Sequence, residues 1–149
     1  MNINQNAPVV QSKEIFIRAN PEQVWAVLTD INQWPRWNSR ITKATMEAPV
    51  TVGTTFRWKV NGASIRSILQ MVEPHHSFGW SGVTFGGSAI HIWYLEPQNG
   101  GTVVRVAESM EGWLVGLFQK KMNRDLALDM LFWLEQLKAA SEPTGSTLK

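Results

Sequence analysis

No cysteine occurs among the 149 residues. That excludes disulfides, a thiolate nucleophile and any cysteine-held zinc. No run approaches 18 continuous apolar residues, so no stable membrane insertion is expected. The opening MNINQNAPVV has neither a charged n-region nor an apolar h-region, and a cytoplasmic protein is expected. Charge of one sign is scarce too. Fourteen Lys and Arg face 12 Asp and Glu, for a net charge of +2, and no basic run exceeds Lys120-Lys121. Nucleic-acid binders concentrate basic residues on one face, so no nucleic-acid partner is expected. No G-x-S-x-G turn, P-loop or dinucleotide fingerprint appears, and no cofactor is expected. The glycine-rich SGVTFGGS lies between two strands rather than opening a helix, so it reads as a mobile lip and not a phosphate cradle.

Tryptophan is what the chain has in excess. Eight Trp and six Phe sit in a composition that is 44% hydrophobic. A tight core favours aliphatic side chains, so the bias points to an aromatic-lined cavity, with a filled Trp-rich core as the alternative.

QSKEIFIR (11–18) alternates as a strand, and ANPEQVWAVLTDI follows as a helix. Asn20 is its expected N-cap, Pro21 its first residue, and Gln23 holds the capping-box position. Val24, Val27, Leu28 and Ile31 recur at helical spacing. Pro35 is expected to end that helix, with PRWNSR making one more short turn. Six strands are expected near 40–47, 53–60, 63–73, 76–83, 87–96 and 102–111, the second and third joined at Asn61-Gly62. Apolar residues at helical spacing from Trp113 to Ala140 predict one amphipathic helix of roughly seven turns. The tail SEPTGSTLK reads as frayed. No repeat or linker appears, so residues 1–149 are expected to form a single domain with its core at about 10–140 and flexible ends.

Strand register predicts which side chains meet. Turns at 61–62, 74–75 and 85–86 pair Phe56 with Ser67, Trp58 with Ile65, Met71 with Phe78, Leu69 with Trp80, Trp80 with His91 and Phe78 with Trp93. A loop centred near 98–99 pairs Trp93 with Val104 and His91 with Val106. Because side chains alternate, one face collects these residues with Val60, Glu108 and Met110. The other collects Arg57, Lys59, Ser64, Arg66, Gln70 and Arg105, which suits solvent. The inner face is expected to meet Phe118, Met122 and Trp133 of the long helix.

The order of elements, together with NPEQVWAVLTDINQWPRWN, VEPHHSFGWSG and HIWYLEPQNGGTVV, resembles the START/Bet v 1-like (SRPBCC) superfamily. Within it, the chain is similar to the polyketide cyclase/dehydrase group over roughly residues 10–140. The resemblance implies an α+β helix-grip fold, in which a curved seven-stranded antiparallel sheet wraps a long C-terminal helix. Two short helices would lie between strands 1 and 2. It also implies a partner that is a small hydrophobic molecule, such as a lipid, polyketide or quinone.

The expected ligand-binding set is Trp37, Phe56, Trp58, Ser67, Leu69, Phe78 and Trp80, continuing with His91, Trp93, Val106, Glu108, Trp113, Phe118 and Met122. His91 and Glu108 are the candidate catalytic pair, diagonal to each other and within reach. Such a pair would polarise a carbonyl or shuttle a proton, or would merely orient a ligand. His75-His76 matches no standard zinc spacing, and no metal is expected. The 61–62 and 82–87 loops and Gly112 to Gly116 share one end, where they are expected to frame the entrance. Three functions follow. The first is binding of a hydrophobic ligand, the second aldol-type cyclisation or dehydration of a polyketide-like substrate, the third an accessory role with an unidentified protein partner. Of INQWPRWN, Trp34 reads as a structural wedge and Trp37 as the indole nearer a ligand.

Overall fold

A computed structural model describes residues 1–143; most of the expected frayed tail lies outside the described residues. Seven strands form one sheet: β1 (Val9–Ile17), β2 (Ile41–Thr45), β3 (Thr55–Val60), β4 (Ala63–Glu73), β5 (Ser77–Thr84), β6 (Gly87–Gln98) and β7 (Gly101–Glu111). Their spatial order is β1-β7-β6-β5-β4-β3-β2, and every neighbour is antiparallel. Helices α1 (Pro21–Thr29) and α2 (Trp34–Trp37) fall between β1 and β2, and α3 (Trp113–Leu117) and α4 (Gln119–Ser141) close the chain. This is the expected helix-grip architecture.

Local chemistry explains the first helical layer. Asn20 caps α1 by accepting from the Gln23 amide at 2.8 Å, and Pro21 takes the first position, where no N–H is needed. α1 stops at Thr29, earlier than expected, because Asp30 leaves helical geometry at φ −82°, ψ 72°. Pro35 does not terminate α1. It lies in the first turn of α2, where its missing N–H costs nothing, and Trp34 before it is itself helical at φ −49°, ψ −43°. Asn32 ties this layer to β2: its Nδ2 donates to Met46 O at 3.0 Å, and the Met46 amide donates back to its Oδ1 at 2.8 Å.

Three hairpins follow the expected register at β3–β4, at Leu69 opposite Trp80, and at β5–β6. A bulge between Leu69 and Met71 places Met71 opposite Gly79 and Val72 opposite Phe78, so Val72 rather than Met71 packs on the core. The β6–β7 turn centres on Asn99-Gly100, both at positive φ, one residue later than expected. Trp93 therefore pairs with Val106, not Val104, and His91 with Glu108, not Val106. A two-residue change of partner keeps every side chain on its predicted face. All six residues expected outside are exposed.

The predicted single helix is broken. Phe118 adopts φ −119°, ψ 30° between α3 and α4. The Leu114 amide donates to Gly86 O at 3.1 Å, which seats α3 on the β5–β6 hairpin. Gly112 permits this approach: its φ is 131°, and a Cβ there would stand 2.5 Å from Gly86 O. α4 buries Met130, Trp133, Leu134 and Leu137, all in its C-terminal half. Asn123 holds the other half to β1: its Oδ1 accepts from the Val10 amide at 3.2 Å and Gln11 Nε2 at 3.0 Å, and its Nδ2 donates to Pro8 O at 3.0 Å. Asp129 accepts from Arg40, and from Asn61 Nδ2 at 3.0 Å, joining α4 to the opposite edge of the sheet.

The N-terminal stretch, expected to be a flexible end, folds back over the outer face. The Asn4 amide donates to Ser109 Oγ at 2.9 Å, and Asn4 Nδ2 to Glu111 at 3.0 Å. Met1 Sδ reaches the surface above Gly79. Ile92 and Ala107, outward by alternation, are consequently buried.

Candidate functional site

The space between sheet and α4 is filled by rings. β3 supplies Phe56 and Trp58, β5 Phe78 and Trp80, β6 His91 and Trp93, and α4 Trp133, all buried. Trp34 enters from α2 and stands among them. Its ring centroid lies 5.7 Å from Phe56, 5.4 Å from Trp58 and Trp80, and 5.3 Å from Trp133, three of these contacts edge-on. Edge-to-face geometry sets the positive rim of one ring against the negative face of another. The Trp34 Nε1 donates to Leu28 O at 2.9 Å, so this fully buried indole is satisfied. The cluster is a packed aromatic core where a hollow was expected. Two surface recesses lie elsewhere, one at Asn20 with the 97–101 turn, the other between residues 2–5 and the outer faces of β1, β6 and β7.

One His–Glu contact sits inside this aromatic wall. His91 Nδ1 and Glu108 Oε1 are 2.5 Å apart across β6–β7, with side chains 4% and 12% exposed. Trp80 stacks on the imidazole at 4.4 Å and 19°, and Trp93 lies at 5.5 Å and 27°. Trp133 meets His91 at 5.2 Å and Trp93 at 5.3 Å. The imidazole uses one nitrogen on Glu108. Among the described residues its Nε2 has no partner, nor have the Nε1 atoms of Trp93 and Trp133. Buried polar atoms are nearly always hydrogen-bonded, so three orphaned nitrogens on mutually contacting rings are unusual. Chemically, the carboxylate fixes the ring and leaves Nε2 to accept a proton or, once protonated, to donate one.

Of the other expected site residues, Ser67 is committed to the wall, accepting from Trp58 Nε1 at 3.0 Å. Leu69 and Val106 are buried beside it. Trp37 is half-buried, with its Nε1 unpartnered. Met122 is also half-buried, on the part of α4 that covers no aromatic cluster. Trp113 and Phe118 lie outside the buried wall: they are 62% and 52% exposed, because the break at Phe118 leaves α3 on the hairpin rim instead of over the inner face. The expected set omits Trp34 and Trp133. Trp133 was legible from its helical spacing; the penetration of Trp34 was not, since it depends on how α2 tilts. His75 lies at the β4–β5 turn with its ring 6.1 Å from Trp25.

A curved antiparallel sheet gripping one helix over a buried aromatic cluster defines the helix-grip class, with Bet v 1-like architecture. The chain belongs to the family described as polyketide cyclase / dehydrase and lipid transport, which it matches over residues 9–142. Solved structures agree on the fold. A hypothetical protein of Helicobacter pylori superposes with a TM-score of 0.84 at 16% identity, covering 93% of this chain and 90% of the other. The di-domain ARO/CYC StfQ of the steffimycin biosynthetic pathway gives 0.76 at 16% identity, covering 89% of this chain and 50% of StfQ. Ara h 8.0201 gives 0.71 at 10% identity, covering 93% and 97%. At these identities the likeness is one of fold. An uncharacterised protein of Mycobacterium tuberculosis is 34% identical over 53 residues, 36% of this chain and 32% of its own length. The chain thus spans about a third of the curated relatives it matches.

Proposed function

We propose that the chain binds a small hydrophobic ligand, planar or aromatic and bearing an oxygen acceptor, between the sheet and α4. The observation that carries this reading is the set of unpartnered nitrogens on His91, Trp93 and Trp133 around the His91–Glu108 pair. Leaving a buried polar group unsatisfied costs about 1–3 kcal/mol. A ligand oxygen that accepts from an indole N–H recovers that cost, while the rings supply stacking and apolar burial. The family description, which includes lipid transport, supports the same reading. Room for the ligand comes from displacement of Trp34, which belongs to neither the sheet nor α4. Native mass spectrometry of freshly purified protein tests this, followed by Trp-fluorescence titration with lipids, quinones and aromatic polyketides. A bound mass or saturable quenching is expected, with affinity reduced on the order of tenfold in His91→Ala. Neither signal with any compound overturns the proposal.

The free Nε2 favours one alternative, a cyclase/dehydrase-type reaction in the same space. His91 Nε2 would take a proton from the carbon beside a substrate carbonyl. The resulting enolate carbon would attack a second carbonyl, forming the C–C bond, and the alkoxide would recover the proton. Glu108 would hold the ring and stabilise its protonated form. Turnover lost in His91→Ala and reduced in Glu108→Gln would establish it. An accessory interaction module, the third reading, would give neither bound mass nor turnover and would instead capture a protein.

A further inference from the structure

One end of the molecule exposes large apolar side chains that no packing explains. Phe85, at the β5–β6 turn, is 79% exposed, and Trp113 and Leu117 of α3 are 62% and 69% exposed. They are contiguous. The rings of Phe85 and Trp113 meet edge-on at 5.7 Å, and Trp113 and Leu117 lie four residues apart on one helical face. Phe118, between α3 and α4, is 52% exposed as well. The patch is held in place, since α3 is hydrogen-bonded to Gly86 and Gly112 is the residue that permits that contact.

Charge around the patch leans basic, with Lys120, Lys121 and Arg124 against Glu111 and Asp125 over residues 111–125. Residues 81–90 carry no charged side chain, and residues 113–124 carry Lys120, Lys121 and Arg124 with no acidic residue. The bordering acids are Asp125, which pairs with Lys121 at 2.6 Å and lies 3.7 Å from Arg124, and Glu111, which accepts from Asn4. Lys120 has no acidic partner among the described residues.

We propose that this end docks peripherally on an anionic lipid surface. Phe85, Trp113 and Leu117 would enter the boundary between headgroups and acyl chains, and Lys120, Lys121 and Arg124 would meet lipid phosphates. Aromatic and leucine side chains beside lysines form the pattern that interfaces select. No helix among the described residues is long and apolar enough to cross a membrane, so the contact is superficial. A second copy fits the patch poorly, because a two-fold contact would bring the two lysine clusters together. The proposal does not rest on the ligand reading.

Flotation with vesicles of phosphatidylcholine, with and without phosphatidylglycerol, tests it. The full chain should float with the anionic vesicles and remain behind with the neutral ones, losing binding as salt rises. Phe85→Ser/Trp113→Ser and Lys120→Glu/Lys121→Glu should each weaken binding on the order of tenfold. All four positions are at the surface, and circular dichroism melts would verify that the variants fold. Absence of wild-type binding overturns the proposal, as does unchanged binding by either variant. So does a wild-type dimer that Phe85→Ser/Trp113→Ser dissociates without any vesicle binding.

Discussion

At Trp34 one side chain decides whether the interior is a hollow or a core. Its indole fills the space between Trp58, Trp80 and Trp133 and donates to Leu28 O. Trp34→Ala should destabilise the protein by about 3–5 kcal/mol, the range for removing a large buried aromatic, as read from urea unfolding. It should also leave an apolar hollow, so indole added to the variant should recover part of the loss. No recovery would mean that the α2 layer collapses into the gap. Sequence marked Trp34 as structural and placed His91 and Glu108 on one face. It could not supply their direct pairing. Asn99, Gly100 and Gly101 each suit a turn, and the hydrophobic alternation is identical for any two-residue change of register.

Elements were legible where the period was strong and the ends were chemically marked. The Asn20–Pro21 start of α1 and the Asn61-Gly62 hairpin are of this kind. The break at Phe118 was not, because the apolar spacing continues through it and only the seat of α3 on the β5–β6 hairpin interrupts the helix. At its other end α4 is tied to β1 through Glu142, which accepts from Lys138 and, at 2.8 Å, from the Arg18 amide. Burial pushes this carboxyl up, but the Lys138 ammonium and the Arg18 amide outweigh it and hold it below its ordinary 4.5. A depressed native value means that the unfolded chain takes up the proton first. The tie therefore contributes above the ordinary value and fades as pH falls through the lower native one. Glu142→Gln should cost about 1 kcal/mol at most near neutral pH, because Lys138 is partly exposed. That difference from wild type should close in acid. Urea melts across this range check the sign, and a gap that widens in acid would refute it.

Over the whole molecule, the sheet is covered on its inner face and on part of its outer one. α4 and the aromatic cluster close the inner one, and residues before β1 cover part of the outer one above Ile92 and Ala107. Removing residues 1–7 should uncover Ile92 and cost on the order of 2 kcal/mol, the value of one well-buried aliphatic side chain. Thermal unfolding of the shortened chain measures it, and an unchanged midpoint would show that the stretch adds nothing. Its polar, unpatterned residues gave no sign of this role, since an irregular segment packs by fitting a surface made elsewhere. The alternating strands, the capped first helix and the apolar stripe of the last one were local properties, written in periods of two and 3.6. They settled the order of elements and the two faces of the sheet, while the helix-grip class was what the family resemblance implied. The His91–Glu108 pairing, the filling of the interior by Trp34 and the outward turn of Trp113 and Phe118 depend on contacts between segments far apart in the chain. Periodicity has no information about the distance between such segments, and only their packing against one another supplied it.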